Sequence, residues 1–307
     1  MVKPKDYSSS RRQARLECAS IVILLITLSA VLVPGLVASI VVLRWPRADP
    51  MAPTINVVAI ESEVRQHRRL VAFIRSRLSP QSTTGLLLSA AILVVVLGTA
   101  GVGVVLFMIH TNTGFARLDH SASLFGAHHA TALSTRVLRI YTQLGGALVI
   151  VPLGLVVAII ETIRQRRAAV VGFLTLVVGG QFLVANVTKS IVDRARPHFD
   201  QLTGFSGPSF PSGHAVACAA CLAAFALLLG RGRSRGTRAL LATLAVDLST
   251  GIACTRVMLG VHWLTDVLGG LAMGWAWFAS CSIAFGGRHL HFGAPVKSAQ
   301  EALASPR

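Results

Sequence analysis

The chain has 307 residues, of which 53% are hydrophobic and only 13% charged, and its formal net charge is +17. A soluble domain carries about a quarter charged residues, so this composition excludes an ordinary soluble fold. The excess of arginine does not make a nucleic-acid binder either. A reading surface needs one continuous basic face, and here the arginines are dispersed among short segments between long uncharged runs.

Residues 1–19 carry Lys3, Lys5, Arg11, Arg12 and Arg15, and Ser20–Leu43 follows with no ionisable side chain. That run is long enough to cross a bilayer as a helix, which takes about 20 apolar residues. Pro34 and Gly35 could instead kink it into a shallow insertion, and the flanking cations prefer the cytoplasmic side; the sequence leaves both readings open. It does not read as a signal peptide, because the run is long and no small-residue cleavage site follows. Further on, Val64, Val71, Ile74 and Leu78 share one helical face, with Arg65, Arg68, Arg69 and Arg75 elsewhere. The pattern fits a basic helix on an anionic leaflet and equally a solvated helix.

Six more apolar runs follow: Leu86–Ile109, Ile140–Ile160, Ala168–Thr188, Ala215–Gly230, Ala239–Thr255 and Val267–Phe285. They predict an all-α polytopic membrane bundle with six spans, plus the extra N-terminal hydrophobic segment. The domain layout that follows is an extension over 1–84, a six-span core over 85–286 and a disordered tail over 287–307. Arg44–Gly85, Glu161–Arg167 and Arg231–Arg238 are rich in arginine, which places them on the cytoplasmic side. Lys189–Pro211, and the turn between the last two spans, then lie on the opposite side.

Several residues receive plain readings. Phe115–Leu138 reads as one polar interfacial helix, in which the adjacent His128 and His129 point apart and make no metal site. Cys218 and Cys221, spaced as a CxxC pair inside an alanine-rich run, read as small buried side chains. Gln181 and Asn186 read as hydrogen-bond partners between helices, and Asp193 with Arg194 as a local pair. Asp247, inside a run, is either functional or neutralised by a proton or by neighbours such as Thr243 and Ser249.

Three polar clusters stand at span ends, all on the side opposite the arginine-rich loops. They are Lys189 through Arg196-Pro197, then Pro211-Ser212-Gly213-His214, then Thr255-Arg256 with His262 and Asp266. Such a set suits a phosphoryl group, whose transfer depends on positioning and on stabilising spread negative charge. Lys189, Arg196 and Arg256 supply cations matched to phosphate oxygens. Ser212 and Gly213 stand where a helix begins, and free N–H groups there bind anions. His262 and Asp266 are four residues apart, so on a helix the carboxylate fixes one imidazole nitrogen and leaves the other free to attack. His214 is left to serve as acid and base. No metal or other cofactor is required.

The pattern Lys189-x6-Arg196-Pro197, Pro211-Ser212-Gly213-His214 and Arg256-x5-His262-x3-Asp266 resembles the type 2 phosphatidic acid phosphatase superfamily. That group includes lipid phosphate phosphatases and bacterial undecaprenyl diphosphate phosphatases. Thr255 stands where the family usually has serine; it keeps the hydroxyl and adds a methyl. The resemblance implies a six-span core and a phosphohistidine on His262, with Asp266 as its partner and His214 as acid/base. It implies that Lys189, Arg196, Ser212, Gly213 and Arg256 hold phosphate. The expected protein is then a multi-pass phosphatase of the cell membrane with its site facing outward. Its partner is a phosphorylated lipid, with a polyprenyl diphosphate favoured and phosphatidic acid or phosphatidylglycerol phosphate next. Phosphotransfer to another lipid, or lipid binding without turnover, are the other functions considered.

Overall fold

Eight helices follow one another along the residues that the computed structural model describes, which are 83–165, 169–198 and 201–289. They are α1 (Thr83–Thr111), α2 (Ala116–His128), α3 (Ala132–Gln143), α4 (Ala147–Gln165), α5 (Ala169–Val192), α6 (Gly213–Gly230), α7 (Arg235–Met258) and α8 (Leu264–His289). The N-terminal hydrophobic segment, the basic stretch from Val64 to Leu78 and the C-terminal tail all lie outside these residues.

Among the described residues six stretches are long and apolar enough to cross a membrane: Ala91–Thr111, Ala132–Arg164, Ala169–Val192, Gly213–Gly230, Arg235–Met258 and Leu264–Phe285. The physical reason for helix is the same in each. Hydrocarbon offers backbone N–H and C=O groups no partner, so a crossing segment must satisfy them internally. The protein is a multi-pass, all-α membrane bundle.

The interfacial segment and the second span depart from the sequence reading. Phe115–Leu138 is not one helix: α2 ends at His128, and Thr131 starts α3. There Thr131 Oγ1 accepts from Ser134 N at 3.2 Å, and Ser134 Oγ accepts from Thr131 N at 2.9 Å. The reciprocal cap uses serine where glutamate is the usual signal, which hides it in the sequence. The span expected over Ile140–Ile160 is interrupted by Leu144-Gly145-Gly146, and α4 starts only at Ala147. Glycine is a poor helix former, and the 19 residues of α4 already cover roughly 28 Å, close to a hydrocarbon core.

Helix α6 sits at the centre, against α4, α5, α7 and α8. Ile150, Phe173, Val177, Phe225 and Leu228 form the core around it. Between α6 and α8 the approach is close: a Cβ on Gly274 would lie 2.5 Å from the Val216 carbonyl oxygen and 2.7 Å from Ala219 Cβ. Close backbone contact of this kind drives helix association where lipid removes the hydrophobic term. Helix α1 lies along α8 and turns Leu93, Leu97 and Phe107 outward, as do Leu148 and Leu155 of α4. In water these would be large apolar patches; against lipid they need no partner.

At one end of the bundle Arg164 donates to the Arg231 carbonyl, which brings the two arginine-bearing turns together. At the other end meet α2, α3, the segment after α5 and the turn before α8. Asp119 bonds Thr265, Thr142 bonds Arg256 and Leu202 N bonds the Leu259 carbonyl. Cys218 and Cys221 are buried free thiols of α6. Asn186 does not bridge helices; its Nδ2 donates to the Phe182 carbonyl of its own helix at 2.8 Å. Gln181 is buried, and its Nε2 has no hydrogen-bond partner.

Candidate active site

All eight residues singled out for phosphate chemistry lie at the end of the bundle that carries α2 and α3. Lys189 ends α5, and Arg196 lies in the segment after it. Ser212 caps α6, with Gly213 and His214 in its first turn. Arg256 is in the last turn of α7, His262 in the turn that follows, and Asp266 in the first turn of α8.

His262 is 2% exposed and Asp266 fully buried. Nδ1 of His262 lies 3.4 Å from Asp266 Oδ2, within ion-pair reach but outside hydrogen-bond geometry, and Nδ1 has no other partner. Asp266 is held on several sides. Oδ1 accepts from Arg194 Nη1 at 2.6 Å, while Oδ2 accepts from Ser209 Oγ and from Trp263 N, the latter at 2.9 Å. Its own carbonyl accepts from Ser212 N at 3.1 Å, which ties the start of α6 to the start of α8.

The opposite face of the imidazole meets Arg196, with Nη1 3.3 Å from Nε2. The remaining donors of this guanidinium go to backbone carbonyls: Nε to Gly207 at 2.8 Å, Nη1 to Val261 at 2.7 Å, and Nη2 to Ser206 at 2.8 Å and Pro208 at 3.1 Å. Phe205 stacks under it, 4.9 Å from its ring centroid to the guanidinium carbon. Burial lowers the Arg196 pKa from its ordinary value, and Asp266 opposes that shift.

The other cations are less committed. Among the described residues Lys189 Nζ donates to the Pro208 carbonyl, at 3.3 Å. Arg256 reaches Thr142 Oγ1 through Nη1 at 3.4 Å, and its buried Nε has no partner. Ser212 Oγ is buried and has none either, and it caps no N–H of α6. A Cβ added to Gly213 would meet no atom within 4 Å. So an uncapped helix N-terminus, an orphaned hydroxyl and an orphaned guanidinium N–H stand at one place, each a donor able to take an anionic oxygen.

His214 lies within electrostatic reach of Arg256, His262, Lys189 and Arg196. Its ring packs against the break between α3 and α4, where a Cβ on Gly145 would sit 2.7 Å from both Cys218 Sγ and Ile252 Cγ2 and 3.4 Å from His214 Cδ2. Lys189, Gly213 and His214 are the half-buried members of the set, whereas His262, Asp266, Ser212, Arg196 and Arg256 are buried.

Burial pulls the His262 pKa from 6.5 down to about 4; Asp266 opposes this, while Arg196 and Arg256 reinforce it. The low pKa favours the neutral ring at neutral pH, the form a nucleophile needs. An open groove of about 760 Å³ adjoins the site and includes Arg194, Arg196, His198, Gln201 and Phe205. Its walls contain neither histidine of the cluster, nor Ser212 or Arg256, so it neighbours the cluster without being part of it. Among the described residues no three His, Cys, Asp or Glu side chains are grouped to hold a metal ion.

Comparison with known proteins places this arrangement. Residues 169–289, from α5 to α8, match the PAP2 superfamily model. The chain is 43% identical over 117 residues to lipid A 1-phosphatase of Rhizobium etli, covering 35% of this chain and 45% of that protein. It is 35% identical over 103 residues to phosphatidylglycerophosphatase B of Bacillus subtilis, covering 33% of this chain and 51% of that protein. The crystal structure of a transmembrane PAP2 type phosphatidylglycerolphosphate phosphatase from Bacillus subtilis aligns with a TM-score of 0.59 at 25% identity, over 64% of this chain and 98% of that one. Over residues 169–289 the chain is similar to the PAP2 superfamily. It spans about half the length of the curated relatives it matches.

The sequence reading missed Arg194, Asp119 and Thr265. Arg194 was paired with its neighbour Asp193, but its guanidinium bridges Asp266 at 2.6 Å and Asp119 at 2.7 Å. Asp193 has φ +41, so the chain turns there and sends the two side chains apart. Asp119 lies on α2, outside the matched domain, and no motif marks it. The one available signal was a carboxylate among apolar residues of an interfacial helix, where an ionisable group needs a partner.

Proposed function

We propose that this protein is a phosphatase of the cell membrane that hydrolyses a phosphorylated lipid through a phosphohistidine on His262, at a site facing away from the cytoplasm. The observation that carries the reading is the buried His262 between Asp266 and Arg196, beside three unpartnered donors.

In the proposed course, phosphate oxygens take the N–H groups at the start of α6, Ser212 Oγ, Arg256 Nε and Lys189 Nζ. As the anion enters, one oxygen displaces His262 Nε2 as the acceptor for Arg196 Nη1, which frees the nitrogen lone pair. Nε2 attacks phosphorus and the bond from phosphorus to the lipid oxygen breaks. His214 gives its proton to that oxygen. Asp266 stabilises the imidazolium, whose proton sits on Nδ1. Water then attacks phosphorus as His214 takes a proton from it, the P–N bond breaks with its electron pair returning to Nε2, and phosphate leaves with His262 restored. Every charge is met by this chain's own side chains, so the reaction needs no metal.

Lys189, Gly213 and His214 are half-buried, which makes their side the entry. The names of the relatives favour a lipid phosphomonoester, a glycolipid 1-phosphate or a phosphatidylglycerol phosphate. Phosphatidic acid and a polyprenyl diphosphate present the same terminal group. The arginine-rich turns at the opposite end of the bundle support the outward-facing assignment.

The test is phosphate release by the purified chain from these four lipids in mixed micelles, with and without chelator and vanadate. Turnover of at least one lipid is expected, insensitive to chelator, inhibited by vanadate and absent in His262→Ala. Turnover that persists in folded His262→Ala would overturn the mechanism, and no turnover of any of the four would overturn the function.

A further inference from the structure

Arg194 has no role in the mechanism above, yet its guanidinium bonds three side chains beside the site. Nη1 donates to Asp266 Oδ1 at 2.6 Å and to Thr265 Oγ1 at 2.7 Å, and Nη2 donates to Asp119 Oδ2 at 2.7 Å. Its guanidinium carbon lies 5.6 Å from the Trp263 ring centroid, and Trp263 Nε1 is fixed to the Ala195 carbonyl at 2.8 Å. Asp119 in turn accepts from Thr265 N at 2.8 Å and from Thr265 Oγ1 at 2.6 Å. Both carboxylates are buried, and Ser123 of the same helix α2 donates to the His262 carbonyl at 3.3 Å.

We infer that Arg194 and Asp119 are positioning residues for the nucleophile, a buried clamp through which α2 sets both the orientation of Asp266 and the charge it presents to His262. The inference rests on His262 being the nucleophile. A carboxylate with three donors on two oxygens is held against rotation, so Oδ2 stays turned toward Nδ1. Arg194 also draws off part of the negative charge of Asp266, and Asp119 returns part of it by competing for the same guanidinium.

The groups facing His262 are Asp266 on α8, Arg196 in the segment after α5, Arg256 on α7 and His214 on α6. Lys189 on α5 acts at one remove, through Asp266. Arg194 and Asp119 also act at one remove, and with opposite sign. Removing the Arg194 cation exposes the full charge of Asp266, favours imidazolium and moves the acid limb of kcat/KM to higher pH. Removing the Asp119 anion leaves Arg194 to Asp266 alone, disfavours imidazolium and moves the limb to lower pH.

The experiment compares full-length wild type, Arg194→Gln, Arg194→Lys and Asp119→Asn on the same lipid, the fastest of the four named above, so that the substrate's own ionisation cancels. Folding is checked by gel filtration and thermal melts. Expected are a drop in kcat of at least about tenfold in Arg194→Gln, with KM changed less, and limb shifts of opposite sign in Arg194→Gln and Asp119→Asn. Lysine keeps the charge but not the two-armed fork, so Arg194→Lys should return the limb to its wild-type position while kcat stays low. If Arg194→Gln does not fold, the limbs of the other two variants carry the test. Folded Arg194→Gln and Asp119→Asn variants whose limbs superimpose on wild type would overturn the clamp while the His262 mechanism stands. A fully active His262→Ala, or no turnover of any of the four lipids, would overturn both.

Discussion

Arg196 Nη1 approaches His262 Nε2 to 3.3 Å, and because a guanidinium has only donors, the imidazole nitrogen there must accept. The ring proton is then on Nδ1, on the side of Asp266. One contact thus fixes the tautomer, and it leaves the attacking lone pair where an entering phosphate would displace Arg196.

The first consequence is in pH. Burial lowers the His262 pKa to about 4, and in the proposed reaction only the neutral ring attacks. Protonation removes activity as pH falls through that value, not through the ordinary value near 6.5. After division by the ionised fraction of the substrate, kcat/KM should hold level from pH 7 to about pH 5 and fall below it. An acid limb near or above 6.5 would show that the ring is not buried as described.

The second concerns Ser212. Its buried Oγ has no partner, so the hydroxyl gives nothing to the fold while it stays unbonded. Removing an unpaired buried polar group is neutral or stabilising, so Ser212→Ala should melt at or above the wild-type temperature. Losing a hydrogen bond to a charged group costs about 1.5–3 kcal/mol, so vanadate inhibition should weaken by roughly 10- to 100-fold. A variant that melts lower and binds vanadate as well as wild type would show that the serine serves the fold.

How much of this was legible beforehand depended on the kind of partner. The six spans are written as missing charges, and the start of α6 at Ser212-Gly213 was readable from the motif. The order of the three polar clusters along alternating spans placed them at one end. What left no trace were contacts to backbone. Arg196 spends its donors on the carbonyls of Ser206, Gly207, Pro208 and Val261, which any residue would offer. Arg194 was assigned to Asp193 because the two are adjacent, whereas its partners lie 72 and 75 residues away. The break at Gly145-Gly146 was hidden inside an apolar run, since hydropathy does not register where a helix stops.

A third prediction separates two glycines. A Cβ on Gly274 would press on the Val216 carbonyl oxygen, and backbone cannot rotate away. One on Gly103 would meet nothing within 4 Å. Gly274→Ala should therefore part α6 from α8 and destabilise by about 1–3 kcal/mol. Gly103→Ala should be neutral or raise stability by up to about 1 kcal/mol, because alanine is the better helix former. Thermal melts in detergent check both, and equal effects would refute the close approach of α6 and α8.

The last prediction sets two arginines against each other. Arg196 bridges four carbonyls and is stacked on Phe205, whereas Arg256 makes one long bond to Thr142 and keeps Nε unpartnered. Lysine carries the same charge on a single point and cannot span those acceptors. Arg196→Lys should loosen the segment from Phe205 to Ser209, seen as faster proteolysis there, and lower kcat at least tenfold because that segment carries Ser209 onto Asp266. Arg256→Lys should leave proteolysis unchanged and act on the anion, raising KM and weakening vanadate inhibition by about tenfold, in line with one lost charge-assisted hydrogen bond. The reverse result, with Arg256→Lys opening the segment and Arg196→Lys affecting only anion affinity, would exchange the roles given to these two side chains.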